Sequence, residues 1–196
     1  MEQLLSINPE RISESEMASF EIRESSRAVV FDKKRRVALL HVGTHEYYKL
    51  PGGSVEEGEN PQQAILRECK EELGCAVHVH AEVGCITEYR SKHNCTQISY
   101  CYVAMTETEN APLALTEREI ENQCVPVWTD MRTAIRWIEA AKPNSYGGRF
   151  VQLRDLTFLK KALEMLELEA CPLGKKRVLD QDISSDTQCS FSGVAA

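Results

Sequence analysis

No run of about 18 apolar residues occurs in the sequence, so no membrane-spanning helix is expected. The chain has eight cysteines (Cys69, Cys75, Cys85, Cys95, Cys101, Cys124, Cys171 and Cys189) but no C-x-x-C pair, which argues against a zinc knuckle. The first twenty residues are polar and acidic, so no secretory signal is expected. The even cysteine count is therefore not read as a disulfide framework. Most of the cysteines sit inside apolar runs, where a free thiol acts as a small hydrophobe, and the expected compartment is a reducing cytoplasm. Positive charge is not in excess either: 23 Lys and Arg against 30 Asp and Glu leave a net charge of −7. That balance excludes a whole-surface attraction for nucleic-acid backbones or anionic membranes, so neither is an expected partner. A polyanionic substrate stays open, provided that a cation stands between it and the protein. Internal repeats are absent, and nothing in the sequence sets an oligomeric state.

What is present suits a globular domain with extensions: 196 residues, 42% hydrophobic and 27% charged. Residues 1–24 read as a polar, partly ordered lead-in, residues 25–169 as the domain, and residues 170–196 as a disordered tail poor in periodicity. The aliphatic runs Arg27–Phe31 and Val37–Val42 predict two strands joined by a charged hairpin turn. Tyr47–Leu50 predicts a short strand stopped by Pro51-Gly52-Gly53. Asn60, Pro61 and Gln63 together open a helix, and Gly74 closes it. Val77–Tyr89, Thr96–Met105 and Val125–Trp128 predict further strands. Asp130 caps a helix to about Ala141, and Phe150–Leu168 predicts a last one, with Phe150, Leu153, Leu156, Leu159, Leu163 and Leu166 at helical spacing. The order predicts an α/β fold, a mixed β-sheet with helices on its faces.

The helix over residues 61–73 carries the chemistry. Each helical residue turns about 100°, so Glu68, Glu71 and Glu72, three and four positions apart, share one face. Ile65, Leu66, Cys69 and Leu73 form a separate apolar stripe, expected to bury against the sheet. Carboxylates gathered on one face repel, and a hard divalent cation relieves that cost. Glutamate oxygens suit Mg²⁺ or Mn²⁺ better than zinc. The glycine pair before the helix lets backbone approach a metal or a phosphate. Arg67 is placed to reach back to a carboxylate such as Glu59. The plainer reading is a solvated, Glu-rich surface helix. It would win for a generic sequence of this kind, but here every fixed position of a long pattern is filled.

That pattern is Gly53, five residues, Glu59, seven residues, Arg67-Glu68, an apolar position, any residue, Glu71-Glu72, any residue, Gly74 and an apolar position. It resembles the Nudix box. Cys69 and Cys75 occupy positions that are usually aliphatic. The Tyr48-Lys49-Leu50-Pro51-Gly52-Gly53 approach and the strand–Trp128–helix segment are similar to family members as well. The resemblance extends over about residues 25–168.

The resemblance implies an α/β/α sandwich and the metal-dependent hydrolysis of a nucleoside diphosphate linked to another group X. The products are a nucleoside monophosphate and phosphorylated X. It also implies that Glu71 and Glu72 are the main metal ligands and that Glu68 is a ligand or the base for the attacking water. Arg67 and Glu59 become supports, and a carbonyl of Gly52 or Gly53 a further ligand. Family enzymes often add an acid from a later loop. Glu117, Glu119 and Glu121 are the candidates here, with Glu121 favoured.

Outside the box, Lys49 is a candidate phosphate contact, and His41 and His45 are candidates for lining the cleft. His78 and His80 alternate on a strand and read as exposed polar positions rather than ligands. Trp128 reads as core packing rather than a stacking platform. Tyr146 to Arg149 read as a loop that could border the site. The downstream proline of many ADP-ribose hydrolases and the Ser-Gln-Pro-Trp-Pro pattern of NADH-cleaving members are missing. Tyr89 lies a little early for the tyrosine of dinucleoside polyphosphate hydrolases. By elimination the expected activity is MutT-like, on nucleoside triphosphates. Dinucleoside polyphosphate, nucleotide-sugar or ADP-ribose hydrolysis and a non-catalytic nucleotide-sensing module are the alternatives. Removal of residues 172–196, which lack a core-forming pattern, should leave turnover intact. A truncated chain that fails to fold would contradict this.

Overall fold

A computed structural model describes residues 1–170. The tail expected over residues 170–196 lies outside the described residues, save Ala170 at the end of the last helix. The elements in chain order are β1 (Gln3–Ile7), α1 (Glu14–Met17), β2 (Glu21–Phe31), β3 (Val37–Val42), β4 (Tyr47–Lys49), α2 (Pro61–Leu73), β5 (Ala76–Arg90), β6 (Cys95–Thr108), α3 (Glu117–Glu121), β7 (Cys124–Thr129), α4 (Met131–Ala140) and α5 (Tyr146–Ala170). The strands form one mixed sheet with helices packed on it, as expected from the element order. No described helix is long and apolar enough to cross a membrane.

The stretch expected as a partly ordered lead-in, residues 1–24, holds β1, α1 and the start of β2. β1 runs parallel to β5, with Leu5 beside Ile86 and Ile7 beside Glu88. A strand of five residues embedded in a polar stretch carries little local signal; it pairs with the edge of β5, which offers unpaired backbone groups. Gly84 makes the approach possible: a Cβ there would lie 2.6 Å from Leu4 Cγ. β2 likewise starts earlier than its apolar core suggests, because the charged residues from Glu21 onward pair in parallel with β6.

The sheet falls into two leaves. One runs β1-β5-β6-β2 and the other joins β4 and β7 to either side of β3. β2 and β3 share a single register pair, Phe31 with Val37, beside the charged turn. Asp32 ties that turn by accepting from the backbone N–H groups of Lys34 and Arg36 and from Arg36 Nε. Beyond the turn the two strands part, and another segment occupies the free edge of β2.

α2 forms as its sequence predicts. The Asn60 side chain accepts from Gln63 N, and the Gln63 side chain accepts from Asn60 N, both at 2.9 Å. Pro61 takes the first turn, and Gly74 ends the helix in the left-handed region at φ 63°. Ile65, Cys69 and Leu73 pack onto Ala28, Val30, Leu40, Val77 and Ala104 of the sheet, with Trp128 against the same cluster. Leu66 is not part of this stripe; it is 40% exposed, one helical step (about 100°) off the buried line.

α5 begins four residues before its expected start, so Tyr146 to Arg149 are helical. Within Met1–Ala162, its buried line is Phe150, Arg154, Asp155, Phe158, Leu159 and Ala162, while Leu153 faces solvent. Residues 163–170 fall in a second unit, in which Leu163 and Leu166 are half-buried. All six described cysteines are free thiols, and all but Cys85 are buried.

The burial pattern of α2 predicts unequal responses to truncation. Ile65→Ala should cost about 2–5 kcal/mol, and Leu66→Ala about 0.5 kcal/mol. Urea denaturation of both variants checks this, and equal losses would place the helix on the wrong face.

Candidate active site

The segment on the free edge of β2 is the glycine turn. Ala28 N donates to Pro51 O, Ser26 N to Gly53 O, and Val55 N to Glu24 O, so residues 51–55 are laced along the strand. Leu50 N donates at 2.8 Å to Asp155 Oδ2, which ties the turn to α5. Both glycines are required by close approach. Gly52 has φ 127°, and a Cβ on it would fall 2.1 Å from Ser26 O. A Cβ on Gly53 would fall 2.1 Å from Glu68 Oε1, so the turn and the start of the acidic face of α2 touch with no side chain between them.

Arg67 binds the acidic groups together. Its Nε and Nη2 donate to the two oxygens of Glu59 at 2.8 and 3.0 Å, a bidentate pair. Nη1 donates to Glu68 at 2.9 Å and Glu71 at 3.1 Å, and Nη2 also reaches Ser54 O at 3.0 Å. The Glu59 bond is the main reason that Arg67 holds its proton well above the ordinary guanidinium range. Burial pushes Glu68 upward despite the opposing charge of Arg67.

Glu72 departs from the expected arrangement. Its side chain is 1% exposed, beneath the cleft rather than on its wall. There it accepts from Gly52 N, and Lys49 Nζ donates to it at 3.0 Å. Lys49 Nζ also lies 3.6 Å from Glu119. Burial pushes Glu72 up to about 7; Lys49 opposes this and hydrogen bonding with Glu119 adds to it. Burial would raise Glu119 too, but its bonds with Glu72 and Thr116 outweigh this and hold it low. Lys49 thus stands beside one carboxyl that is pushed up and one that is held low.

These groups border a cleft of about 570 Å³. Glu68, Glu71 and Glu119 line it with negative charge, and Arg27, Lys49 and Arg154 with positive charge. Gly52 and Gly53 line it as well. Of the three candidates for a later acid, Glu119 lines this cleft, whereas Glu121 is exposed on α3 and not among the lining residues. Thr116-x-x-Glu119 is a capping box, and the N3 side chain turns back to Thr116 N at 2.9 Å.

His41 is displaced for a different reason. Side chains alternate along β3 and β4, so Val42, Tyr47 and Lys49 face the cleft while His41 and Tyr48 face away. There His41 packs on Tyr48 (centroids 4.9 Å apart), and Tyr48 stacks on Trp137. His45 is likewise not among the lining residues; its ring stacks with Tyr47. Tyr146 and Arg149 line a separate depression beside Phe150. Arg27, Arg154 and Asp155 of the site were not anticipated from the sequence.

Among the described residues, no three acids converge on one point. Instead, Arg67 Nη1 stands between Glu68 and Glu71, and Lys49 between Glu72 and Glu119. The carboxylates are hard oxygen donors collected around positive charge, and Gly53 leaves a cradle against Glu68 that a Cβ would fill. In donor type and charge the site fits Mg²⁺ or Mn²⁺.

The family model for the NUDIX domain matches residues 22–146. The chain belongs to the Nudix hydrolase family. A curated relative, the 8-oxo-dGTP diphosphatase of Proteus vulgaris, is 38% identical over 55 residues, 25% of this chain and 47% of that protein. The match thus spans about half the length of that relative. Among solved structures, a NUDIX hydrolase from Nitrosomonas europaea aligns at a TM-score of 0.56 and 15% identity, covering 74% of this chain and 90% of that one. The C. elegans Ap4A hydrolase aligns at 0.51 and 16%, covering 74% and 99%. Both likenesses are of fold, and the Nudix α/β sandwich is what they share with this chain.

Glu72 gives this Nudix domain a pH signature. Its carboxyl titrates near 7 when folded, against an ordinary 4.5, so between these values the native state holds more protons than the unfolded one. With metal chelated, this contribution to stability is full at the acidic end and is lost as pH rises toward 7. Glu72→Gln removes the titration. Its melting temperature should therefore rise relative to the parent as pH goes from about 5 to about 8. A gap that does not change with pH would contradict the assignment.

Proposed function

We propose that the protein hydrolyses a diphosphate bond in a nucleotide, with a nucleoside triphosphate as substrate and a nucleoside monophosphate and pyrophosphate as products. The observation that carries this is the meeting, in one cleft, of the acidic face of α2, the glycine turn and a cationic wall. Glu68, Glu71 and Glu72, with a glycine-turn carbonyl and Glu119, are the residues that would hold a divalent ion. Gly53 O already accepts from Ser26 N, and a carbonyl oxygen has a second lone pair to offer. When bound, such an ion neutralises phosphate charge and acidifies a water.

The chain's own groups do the rest. Glu68, whose proton affinity is raised by burial, is suited to take the proton of the attacking water. As the water oxygen joins the phosphorus next to the nucleoside, the anhydride P–O bond breaks and pyrophosphate departs with the electron pair. Arg67 and Glu59 fix the direction of Glu68, and the backbone of Gly52 and Gly53 lets the phosphates approach. The triphosphate assignment is supported by the stretch similar to the Proteus vulgaris 8-oxo-dGTP diphosphatase. The free thiols of the described cysteines support a reducing, cytoplasmic setting.

Turnover with Mg²⁺ on nucleoside triphosphates, ADP-ribose, nucleotide sugars and dinucleoside polyphosphates, with products identified by mass, tests the reading. Glu71→Gln should lose at least about 100-fold in rate while staying folded. Near-parental turnover in that variant would remove Glu71 from the chemistry. Tight nucleotide binding with no turnover on the panel would favour a sensing module.

A further inference from the structure

The cationic wall of the cleft is unevenly satisfied. Lys49 has Glu72 and Glu119. Arg154, 1% exposed, donates through Nε to Asp155 at 2.7 Å, and its Nη1 lies 3.9 Å from Glu88 Oε1. Its Nη2 is buried with no hydrogen-bond partner. Arg27 has less. Its Nη1 donates to the Ser26 carbonyl at 2.9 Å, its Nε is buried and unpartnered, and no described carboxylate lies within ion-pair distance of it. Burial first, and then the charge of Arg154, hold Arg27 down to about 10, so it is still a cation at neutral pH.

Two neighbouring guanidinium groups line one cleft with unpartnered donors, and although the charges of Asp155, Glu72 and Glu68 offset part of their repulsion, a further anion between them would relieve the rest. Planar guanidinium donors match phosphate oxygens. Neither Arg27 nor Arg154 belongs to the box, and no hydrogen bond ties either to the acidic face of α2, although the charge of Arg27 reaches Glu68.

We propose that Arg27 and Arg154 form a subsite for the terminal, unsubstituted phosphate of the substrate. The protein is thereby selective for nucleoside triphosphates over molecules whose diphosphate is esterified at both ends. A terminal phosphate brings about two negative charges and three free oxygens, whereas an internal one brings about one charge. The former offers two guanidinium groups more charge and one more free oxygen. This inference rests on the hydrolase reading for its substrate but not for its binding chemistry.

The test uses the full chain with EDTA present, so that no metal bridges the ligand, and inorganic pyrophosphate as the probe in calorimetry. The parent should bind it. Arg27→Gln and Arg154→Lys should each weaken binding at least about 10-fold. Arg149→Gln, which removes the same charge outside the cleft, should leave it unchanged. With Mg²⁺, Arg27→Gln should lower the kcat/KM ratio of triphosphate to ADP-ribose at least about 10-fold, mainly through the KM for triphosphate. If Arg154→Lys does not fold, Arg27→Gln decides alone.

Pyrophosphate binding that is absent in the parent, unchanged in Arg27→Gln, or lost equally in Arg149→Gln would overturn the subsite. Arg27-dependent binding without turnover of any nucleotide would leave the subsite standing and sink the hydrolase reading. Turnover with selectivity indifferent to Arg27 would do the reverse.

Discussion

One guanidinium makes the acidic face of α2 tenable. Glu59, Glu68 and Glu71 would repel if left alone, and Arg67 engages all of them while also holding the Ser54 carbonyl. The effect is more than neutralisation. Glu59 precedes the helix and Ser54 follows the glycine turn, so one side chain fixes the spacing between turn, loop and helix. The close contact of Gly53 with Glu68 depends on that spacing. An ammonium group in the same place would supply the charge but not the fork that reaches three carboxylates at once.

A second buried charge cluster serves the other wall. Asp155 accepts from Leu50 N and from Arg154, so the last helix grips the turn by its backbone immediately before Pro51. The floor is therefore held from two directions, by β2 through residues 51–55 and by α5 through Asp155. Buried ion pairs of this kind contribute little net stability, and their use here is to set position.

The box and its helix were legible in the sequence because both are local. The cap, the terminating glycine, the apolar line and the spacing of carboxylates all lie within about two dozen residues and follow from helical geometry. Most strands were legible for the same reason. What escaped depends on distant partners. β1 exists only against β5. Arg154 and Asp155 occupy positions that a helical wheel reads as solvated, and only the backbone of a turn about a hundred residues away makes them buried. His41 and Glu121 do not line the cleft, since strand alternation and a capping bond decide which neighbour faces it. The Thr116 capping box was readable in advance, but it fixes the Glu119 side chain only relative to its own helix and not relative to the cleft.

The parallel pairing of β2 with β6 has a further consequence, for the order in which the molecule assembles. Ser25 and Ser99, whose hydroxyls meet at 2.9 Å, are separated by 74 residues. A chain emerging from the ribosome releases β2, the glycine turn and the box helix well before the strand that must lie beside β2. During that interval the inner face of the box helix lacks part of its cover, and β2 offers an open edge to any neighbouring strand. Such long-range closure slows folding. The acidic helix is thus made early, while part of the sheet beneath it waits for β6.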